Sequence, residues 1–311
     1  MKWQKSVVGL PDLNSVLKNR ERQTLQMIRH DSIRAVTGTT RLFGCIASPT
    51  DHVRAPMIFN RIFAERNIDA VMVPVDIPAE QLSEGIKGLK KLANFKGAAV
   101  TIPHKLNLAA LCDELGPGAR ATAAVNAVRF ADDDRLLGDN FDGHGFVAGL
   151  LGENPTDLPP EHILRDKSIL IIGAGGAARA IALSLAAQPI SRVDVTNRTH
   201  SRAEEAVQLV HKLGGNTKVL AIQSNDIDFH AYDMVINATP LGLHENDEMP
   251  LDVNLLRIDC LVCDIIMIPE RTRLITAAQR SGRPVHIGRY MLDYQVDLIG
   301  EFIGAYEKNS G

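Results

Sequence analysis

The chain has few cysteines, little net charge and no long apolar run, and each shortage excludes a class of protein. Its 4 cysteines in 311 residues are scattered, which fits the reducing cytoplasm better than a disulfide-built scaffold. A formal net charge of −3 favours neither a nucleic-acid partner nor an anionic membrane. No apolar run approaches the roughly 18–20 residues of a membrane helix, and no signal-peptide core opens the chain. We therefore expect a cytoplasmic protein without a membrane partner.

Cys260 and Cys263 have the spacing of a metal-binding or redox pair. A zinc site of this type needs a second pair of ligands, and the sequence has none near it. The two cysteines also lie in an apolar, strand-like run. We expect no metal site.

Strand-like and helix-like patterns alternate through the chain, and its length predicts about two domains. Predicted strands lie at residues 41–47, 70–75, 97–102, 168–172, 191–196, 217–222, 233–237, 261–266 and 284–287. Predicted helices lie at residues 14–30, 56–66, 80–93, 103–115, 146–151, 179–187 and 290–306. The pattern of residues 125–137 predicts a hairpin, and that of residues 153–160 predicts a linker. The alternation predicts parallel sheets, and hence an α/β fold.

The strand at 168–172 runs directly into Gly173-Ala174-Gly175-Gly176-Ala177-Ala178 and then into a helix of small residues. This is a dinucleotide fingerprint in its required setting of strand, turn and helix. Gly173 permits the tight turn, Gly175 lets the backbone approach a pyrophosphate, and Ala178 keeps the helix close to the sheet. The backbone N–H groups at the helix N-terminus favour a bound phosphate.

The end of the next strand predicts NADP rather than NAD. A NAD site needs an acidic residue there, but Asp194 lies in the middle of the strand. The strand ends instead in Asn197-Arg198-Thr199, followed by Arg202. Guanidinium groups suit a ribose 2′-phosphate. The alternative is that both arginines simply begin a solvated helix.

Lys105 is the candidate catalytic residue, because it falls in the first turn of a predicted helix. A cation there opposes the helix dipole, which favours the neutral amine that a general base requires. The alternative is a surface lysine with its amine in solvent. Asp142 precedes a Gly-x-Gly segment, where a helix N-cap is the commoner role. Asn126 lies in an apolar strand, and a buried amide there needs polar partners.

Seven segments together resemble the shikimate dehydrogenase family, between about Ile33 and Glu301. They are Val100–Lys105, Ala124–Ala127, Gly138–Gly143, the loop from Gly173, Asn197–Thr199, Asn237–Gly242 and Gly288–Gln295. The resemblance implies an N-terminal α/β substrate-binding domain and a C-terminal NAD(P)-binding Rossmann domain with a cleft between them. The predicted boundaries are 1–141 plus the C-terminal helix 290–311 for the first, and 142–289 for the second.

The resemblance also implies roles for individual residues. Lys105 takes the substrate hydroxyl proton, and Asp142 holds Lys105 and the adjacent hydroxyl. The ring hydroxyls bind Thr101, Asn126 and Gln295. The cofactor is NADP, bound by Gly173, Ala174, Gly175, Gly176, Ala177, Asn197, Arg198, Thr199, Arg202, Thr239 and Gly288.

The chain departs from the family where the substrate carboxylate is expected. The family's His-Ser-x-Ser-Pro is here His52-Val53-Arg54-Ala55-Pro56, and its Asp-x-x-Tyr-x-Pro has Met267 for tyrosine. Phe141 replaces a threonine. Each lost hydrogen bond to a charged group costs about 1.5–3 kcal/mol. Arg54 and His52 are the nearest substitutes for these bonds, although Arg54 has the alternative of facing solvent.

We therefore expect an atypical shikimate dehydrogenase-like enzyme of the shikimate pathway, which makes aromatic amino acids. It reversibly reduces 3-dehydroshikimate or a related ring acid with NADPH. The alternatives are a quinate or other polyol-acid dehydrogenase, a dehydrogenase of unrelated hydroxy acids, and a dinucleotide-binding regulatory protein. The oligomeric state stays open between monomer and homodimer.

Overall fold

The structure, a computed structural model, describes residues 35–153, 156, 159–212 and 217–307. The helix expected over Asn14–His30 lies outside them, and so do residues 154, 155, 157 and 158 of the expected linker. The strands are β1 (Arg41–Ala47), β2 (Ala70–Asp76), β3 (Phe95–Val100), β4 (Glu114–Leu115), β5 (Ala127–Phe130), β6 (Leu136–Asp139), β7 (Ser168–Ile172), β8 (Arg192–Thr196), β9 (Lys218–Ala221), β10 (Met234–Asn237), β11 (Leu261–Asp264) and β12 (Val285–His286).

The helices alternate with these strands. They are α1 (Ala55–Glu65), α2 (Leu82–Lys90), α3 (Lys105–Ala109), α4 (Pro117–Thr122), α5 (Asp142–Gly152), α6 (Pro160–Ile163), α7 (Gly176–Ala186), α8 (His200–Lys212), α9 (Arg273–Arg280), α10 (Arg289–Asp293) and α11 (Val296–Phe302). Nowhere in the described residues is a helix both long enough and apolar enough to span a membrane.

The strands form two six-stranded sheets, which confirms the predicted α/β fold. The first sheet has the order β2-β1-β3-β5-β6-β4. The pairs β1–β2 and β1–β3 are parallel, as expected from the strand–helix alternation. The predicted hairpin, β5–β6, makes the sheet mixed, because β5 runs antiparallel to both β3 and β6.

The second sheet has the order β12-β11-β10-β7-β8-β9, and every pair in it is parallel. Counted from β7 as the first strand, this is the 3-2-1-4-5-6 order of dinucleotide-binding sheets. The order reverses between β7 and β10, so the loops after these two strands diverge and leave a crevice. Gly173 follows β7 directly, which places the glycine-rich loop at the crevice.

The C-terminal helices pack on the first sheet, although they follow the second in sequence. Leu292, Val296 and Ile299 share an apolar cluster with Phe43 of β1 and Phe59 of α1. This contact agrees with the expectation that the last helix returns to the N-terminal half. The exact domain boundaries stay a prediction.

The helix predicted over residues 103–115 is wrong in length. Helix α3 covers only Lys105–Ala109, and Glu114–Leu115 form β4 instead. The Asp113 backbone N–H donates to Leu136 O, and β4 pairs with β6. Sheet pairing therefore overrides the local helix pattern. Since α3 has only five residues, its dipole is too small to carry the argument for a neutral Lys105.

Three further helix predictions are wrong at their boundaries. The helix predicted over residues 146–151 begins earlier, at Asp142, and is α5. Its glycines lower helix propensity, which misled the sequence interpretation, but tertiary packing needs them. The single helix expected over Tyr290–Tyr306 breaks into α10 and α11, with Gln295 at the break. The helix after the fingerprint starts at Gly176 rather than Arg179.

His286 on β12 provides a test of the packing between the second sheet and α5. Its ring meets Phe146 edge-on at 5.8 Å and Tyr290 at 5.3 Å, and no described residue hydrogen-bonds either ring nitrogen. Burial lowers the pKa of His286 from 6.5 to about 4. The unfolded chain therefore takes up a proton between these pH values while the folded protein does not, so stability falls as pH drops through this window.

We expect His286→Phe to remove this pH dependence. Relative to wild type, the variant should gain about 3 kcal/mol in free energy of unfolding between pH 7 and pH 4. Urea unfolding of both proteins at several pH values measures this difference, in which the contributions of all other groups cancel. A difference that stays constant with pH would contradict the burial of a neutral His286.

Candidate active site

Lys105 and Asp142 form a buried ion pair. Lys105 is the first residue of α3, shortly after β3, and Asp142 is the first residue of α5. Lys105 Nζ lies 2.5 Å from Asp142 Oδ2, and the two side chains are 12% and 2% exposed. The lysine amine is therefore not in bulk solvent, which disposes of the alternative that it is an ordinary surface lysine.

Two amide side chains hold the other carboxylate oxygen. Asn126 Nδ2 donates to Asp142 Oδ1 at 2.9 Å and to Gln295 Oε1 at 2.7 Å. Gln295 Nε2 lies 3.4 Å from the same Asp142 oxygen. Asn126 Oδ1 accepts the backbone N–H of Phe141 at 3.0 Å. The structure thus brings together four of the predicted site residues, which are far apart in sequence.

Asn140 belongs to this network and was not predicted. Its Oδ1 accepts the backbone N–H of Asp142 at 3.0 Å, and its Nδ2 donates to Ala124 O at 3.1 Å. An Asn two residues before a helix start is the available sequence signal, because its side chain bonds the backbone locally. Phe141, not Asp142, is the N-cap residue of α5. The N-cap expectation for Asp142 is therefore wrong, and its carboxylate is free to pair with Lys105.

Glycines let α5 lie unusually close to two other helices. A Cβ on Gly143 would overlap Ala180 O and Ser184 Oγ of α7. A Cβ on Gly145 would overlap Met291 O of α10 and lie 2.9 Å from Gln295 Cβ. Helix α5 is therefore held between the helix of the dinucleotide fingerprint and the helices that carry Gln295.

The glycine-rich loop has the shape that a dinucleotide needs. Gly173 has φ +117°, and a Cβ there would lie 2.6 Å from Ala238 O, so only glycine fits this turn. A Cβ on Gly175 would have no described heavy atom within 4 Å, which leaves room beside the backbone for a pyrophosphate. Helix α7 begins at Gly176 with its N-terminal N–H groups facing this space. The loop residues Ala174 and Ala177 lie on either side of this start.

Arg179 supports the loop from inside. Its Nε donates to Ala174 O at 3.2 Å, and its Nη2 pairs with Glu205 Oε2 of α8 at 3.0 Å. The side chain is only 10% exposed. The sequence interpretation did not single out Arg179.

The end of β8 carries free cations and no available acid. Asp194 is fully buried and accepts the Tyr232 hydroxyl at 2.6 Å, so it is not available to a ribose. Arg198 and Arg202 are exposed, and neither pairs with any described residue. Nearby, Asn197 Nδ2 donates to Thr199 O at 2.9 Å and shapes the turn. This arrangement fits a 2′-phosphate.

A buried carboxylate ties together the loops after β10 and β11. Asp264 accepts from Thr272 Oγ1 at 2.8 Å, from Ile266 N at 3.0 Å and from Asn237 Nδ2 at 3.2 Å. Burial raises the pKa of Asp264 to about 6, and these hydrogen bonds oppose the rise. Thr239 is fixed in turn by Asn237 Oδ1 at 2.7 Å.

Gly288 approaches the same region from β12. A Cβ on Gly288 would lie 2.5 Å from Ile265 O, so this glycine allows the chain after β12 to pack on the loop after β11. The structure therefore places the predicted cofactor residues Thr239 and Gly288 after the carboxyl ends of β10 and β12, the two strands that flank β11, where ligands of such sheets bind.

A cavity of about 250 Å³ opens between the strand ends of the two sheets. Its lining residues are Ser48, Pro49, Asp51, His52, Ile102, Pro240, Leu243, His244 and Ile268. Thr101, half-buried, precedes Ile102 in the same turn. His52 Nδ1 lies 3.6 Å from Asp51 Oδ1, and its Nε2 is buried without a described partner. His52 therefore has a nitrogen available to a ligand.

Arg54 is buried, so the alternative that it faces solvent is wrong. Its side chain is 15% exposed and lies 3.5 Å from Glu270 Oε2, and Nη1 also reaches Met267 O at 3.5 Å. Arg289 lies at the same distance from Glu270. These long contacts leave donors unused, and Arg54 Nε has no described partner.

The residues that replace the family's hydroxyls are apolar and packed. Ala55 is buried at the start of α1, and Val53 packs against the same cluster. Phe141 meets Phe302 edge-on at 5.7 Å, and Met267 packs against clusters of both sheets. None of these four side chains offers a hydrogen bond to a carboxylate.

Metal ligands do not converge in the described residues: no group of three or more His, Cys, Asp or Glu side chains could hold an ion. All four cysteines are free thiols. Burial raises the pKa of the Cys260 thiol to about 12 and that of Cys263 well above its usual value. Neither thiol is a reactive thiolate.

A lysine–carboxylate pair beside a dinucleotide-binding sheet defines the class: an oxidoreductase that acts on alcohols. Comparison with known proteins identifies the family within this class. The model of the shikimate dehydrogenase substrate binding domain matches residues 45–128, and that of the shikimate / quinate 5-dehydrogenases matches residues 160–244. The chain belongs to the shikimate dehydrogenase family, as predicted.

Individual relatives agree with this assignment. A shikimate dehydrogenase (NADP(+)) of Rubrobacter xylanophilus is 37% identical over 265 residues, which cover 85% of this chain and 90% of that protein. One of Bacillus licheniformis is 36% identical, with coverage of 86% and 93%.

Solved structures of similar fold cover most of this chain. A shikimate dehydrogenase in complex with NADP+ has TM-score 0.76 and 31% identity, covering 88% of this chain and 93% of that one. A quinate dehydrogenase from Corynebacterium glutamicum in complex with NAD has TM-score 0.74 and 25% identity, with coverage of 86% and 95%. A 5-ketofructose reductase of Gluconobacter has TM-score 0.68 and 28% identity, with coverage of 85% and 93%.

The buried amide network makes a prediction about stability. Asn126→Ala removes two donors and one acceptor around Asp142, so we expect a loss of about 1–3 kcal/mol in free energy of unfolding. Urea unfolding measures it. The matched control is Asn197→Ala, whose exposed turn bond should be worth no more than about 0.5 kcal/mol. Equal, small losses in both variants would contradict the network.

Proposed function

We propose that the protein catalyses the reversible, NADP-dependent oxidation of a secondary alcohol on a hydroxylated ring acid, with shikimate and 3-dehydroshikimate as the substrate pair. The observation that carries this proposal is the buried Lys105–Asp142 pair beside the glycine-rich loop. NADP is the cofactor, as predicted, and the loop, the free Arg198 and Arg202 and the buried Asp194 all fit it. The relatives from Rubrobacter xylanophilus and Bacillus licheniformis carry the name shikimate dehydrogenase (NADP(+)).

Lys105 is the proton acceptor in this mechanism. In the oxidation direction Lys105 Nζ, as the neutral amine rather than the ammonium of the ion pair, accepts the proton of the substrate hydroxyl. NADP+, held by the glycine-rich loop and the end of β8, would take the hydride from the same carbon, so that the alcohol would become a ketone. Bound NADP supplies only this hydride transfer. Asp142 stabilises the resulting ammonium, and in the reverse direction Lys105 returns the proton to the alkoxide.

Asp142 acts mainly by orientation. One of its oxygens holds the lysine, and the other is held by Asn126 and Gln295, so the carboxylate has a single orientation. Gln295 keeps a donor for a ring hydroxyl, as does the Thr101 hydroxyl at the end of β3. Asn126 uses both of its N–H donors within the protein, so it serves substrate binding through Asp142 and Gln295.

The substrate carboxylate requires a partner that the family's hydroxyls no longer supply. His52 lines the cavity and has a buried nitrogen, Nε2, without a described partner, and Arg54 has unused guanidinium donors next to Met267. We assign carboxylate binding to these two residues. Since Glu270 partly neutralises Arg54, affinity for the carboxylate should be modest.

A second candidate follows from the same apolar positions. Val53, Ala55 and Met267 suit a substrate without a carboxylate at that end, and the Gluconobacter neighbour is a 5-ketofructose reductase. Quinate is a third substrate of the same class, given the Corynebacterium neighbour. Removing the carboxylate should lower turnover if shikimate or quinate is the substrate. It should not lower turnover if the substrate has no carboxylate at that end. A regulatory protein with little turnover is disfavoured by the complete Lys105–Asp142 pair.

The cellular setting follows from the chemistry. The cofactor and free thiols support a place in the cytoplasm. We propose a small-molecule substrate and no nucleic-acid partner, with the protein acting as a monomer or homodimer.

Lys105→Ala tests the proton-transfer role. We expect kcat with shikimate and NADP+ to fall by at least about 10³-fold, because general acid–base catalysis contributes about 10²–10⁴-fold and the Asp142 charge is left unpaired. NADP affinity, measured by fluorescence titration, should stay within about threefold, since the Lys105 amine pairs with Asp142. Lys96→Ala, at an exposed lysine of β3, is the control. Retained turnover in Lys105→Ala would refute the assignment.

Arg198→Ala tests the choice of cofactor. Removing a guanidinium from the 2′-phosphate should raise KM for NADP+ by about 10–100-fold and leave KM for NAD+ nearly unchanged. Steady-state rates with each cofactor measure the ratio, and Arg61→Ala, an exposed arginine of α1, is the control. A rise in both KM values by the same factor would show that Arg198 does not contact the 2′-phosphate.

A further inference from the structure

Helix α7 lies directly against Lys105, the proposed proton acceptor, which begins α3. A Cβ on Gly176 would lie 3.0 Å from Lys105 Cβ, 3.0 Å from Ala124 Cβ and 3.5 Å from Lys105 Cδ. Apolar carbons pack best at about 3.5–4.0 Å. The bare backbone of Gly176 is therefore what lets α7 and the lysine lie this close.

The same helix contacts the segment of the second catalytic residue. Ala180 O and Ser184 Oγ meet Gly143, which follows Asp142. Residues 176, 180 and 184 are spaced by four, so they lie along one face of α7. One helix face thus touches Lys105 at its first turn and the start of α5 at its second and third turns.

We propose that α7, besides presenting its N-terminus to the cofactor, sets the positions of Lys105 and Asp142, and that Gly176 is the positioning residue for Lys105. The inference rests on the proposed function, in which Lys105 accepts the proton. It gives the adjacent glycines Gly175 and Gly176 different roles. Gly175 makes room for the cofactor, since no described heavy atom lies near it, whereas Gly176 makes room for the catalytic side chain.

The consequence is a rigid link between cofactor and base. The fingerprint loop and the contact with Lys105 are both at the N-terminal end of α7. The first turn of this helix therefore fixes the distance between the pyrophosphate site and Lys105. A methyl group at 176 would displace Lys105 by about 0.5–1 Å, given preferred carbon contacts of about 3.5–4.0 Å. Displacements of this size cost up to about 100-fold in rate.

The test compares Gly176→Ala with Gly175→Ala, and Gly88→Ala of α2, which also meets no described atom, is the control. For Gly176→Ala we expect kcat at saturating NADP+ to fall by about 10–100-fold. NADP affinity should stay within about threefold, because alanine keeps the backbone N–H that residue 176 offers to the cofactor. The primary isotope effect, with deuterium on the carbinol carbon, should rise, since hydride transfer becomes rate-limiting. For Gly175→Ala we expect the reverse: NADP affinity falls at least tenfold and saturated kcat changes little.

A double variant distinguishes the contact of residue 176 with Lys105 from its contact with Ala124. It also provides a test if the single variant Gly176→Ala does not fold. Gly176→Ala/Ala124→Gly removes the contact with Ala124 but keeps the one with Lys105. If Lys105 is what Gly176 accommodates, kcat stays low in the double variant. Restoration of wild-type kcat would overturn the proposal, and so would a single Gly176→Ala variant whose only defect is NADP affinity.

The Lys105→Ala background distinguishes this inference from the proposed function. There Gly176→Ala should lower the residual rate no further, because no amine remains to be displaced. An active Lys105→Ala enzyme would defeat the proposed function itself. An inactive Lys105→Ala enzyme together with a fully active Gly176→Ala enzyme would defeat only the positioning role.

Discussion

The site depends on the close packing of α5 between α7 and α10. Gly143 and Gly145 remove side chains from the two contact faces, so the backbone of one helix meets the carbonyl groups of the others. Asp142 stands at the N-terminus of this clamped helix. Its carboxylate therefore has a defined position relative both to the glycine-rich loop that leads into α7 and to Gln295 between α10 and α11.

Burial of the Lys105–Asp142 pair is a cost that the surrounding groups must offset. Removing two charges from water costs several kcal/mol for each ion, and their mutual attraction restores this only when further hydrogen bonds complete the site. Asn126, Gln295 and the backbone held by Asn140 supply those bonds. This network holds the Lys105 amine at one place, and the side chain that carries it lies close to Gly176 at the start of α7.

The carboxylate end of the cleft contrasts with this polar centre. Where relatives place hydroxyls, this chain places Val53, Ala55 and Met267, and the neighbouring polar groups are His52 and Arg54. The predicted catalytic pair is present, and we propose that recognition of the substrate carboxylate is what differs from the family pattern.

Sequence patterns correctly predicted those parts of the molecule whose structure depends on interactions between residues close together in the chain. The run Ser168–Ile172 and its glycine turn predicted the second sheet and its cofactor, because a buried strand followed by such a turn has few alternatives. The predicted extents of α3 and α5 were wrong, because β4–β6 pairing and the packing of Gly143 and Gly145 are tertiary effects. Only the family resemblance predicted that four distant side chains converge, since sequence separation carries no information about contact. They are Lys105, Asn126, Asp142 and Gln295.

The measurement that tests the account most directly is kcat/KM for NADP+ reduction at 340 nm. Shikimate, quinate and the ring alcohol without a carboxylate would be compared, with NAD+ run alongside. We predict turnover of shikimate with NADP+, and at least about a tenfold lower kcat/KM once the carboxylate is removed, the value of one charged hydrogen bond. Equal kcat/KM with and without the carboxylate, or no NADP+ reduction with any ring acid, would contradict the assignment to a hydroxylated ring acid.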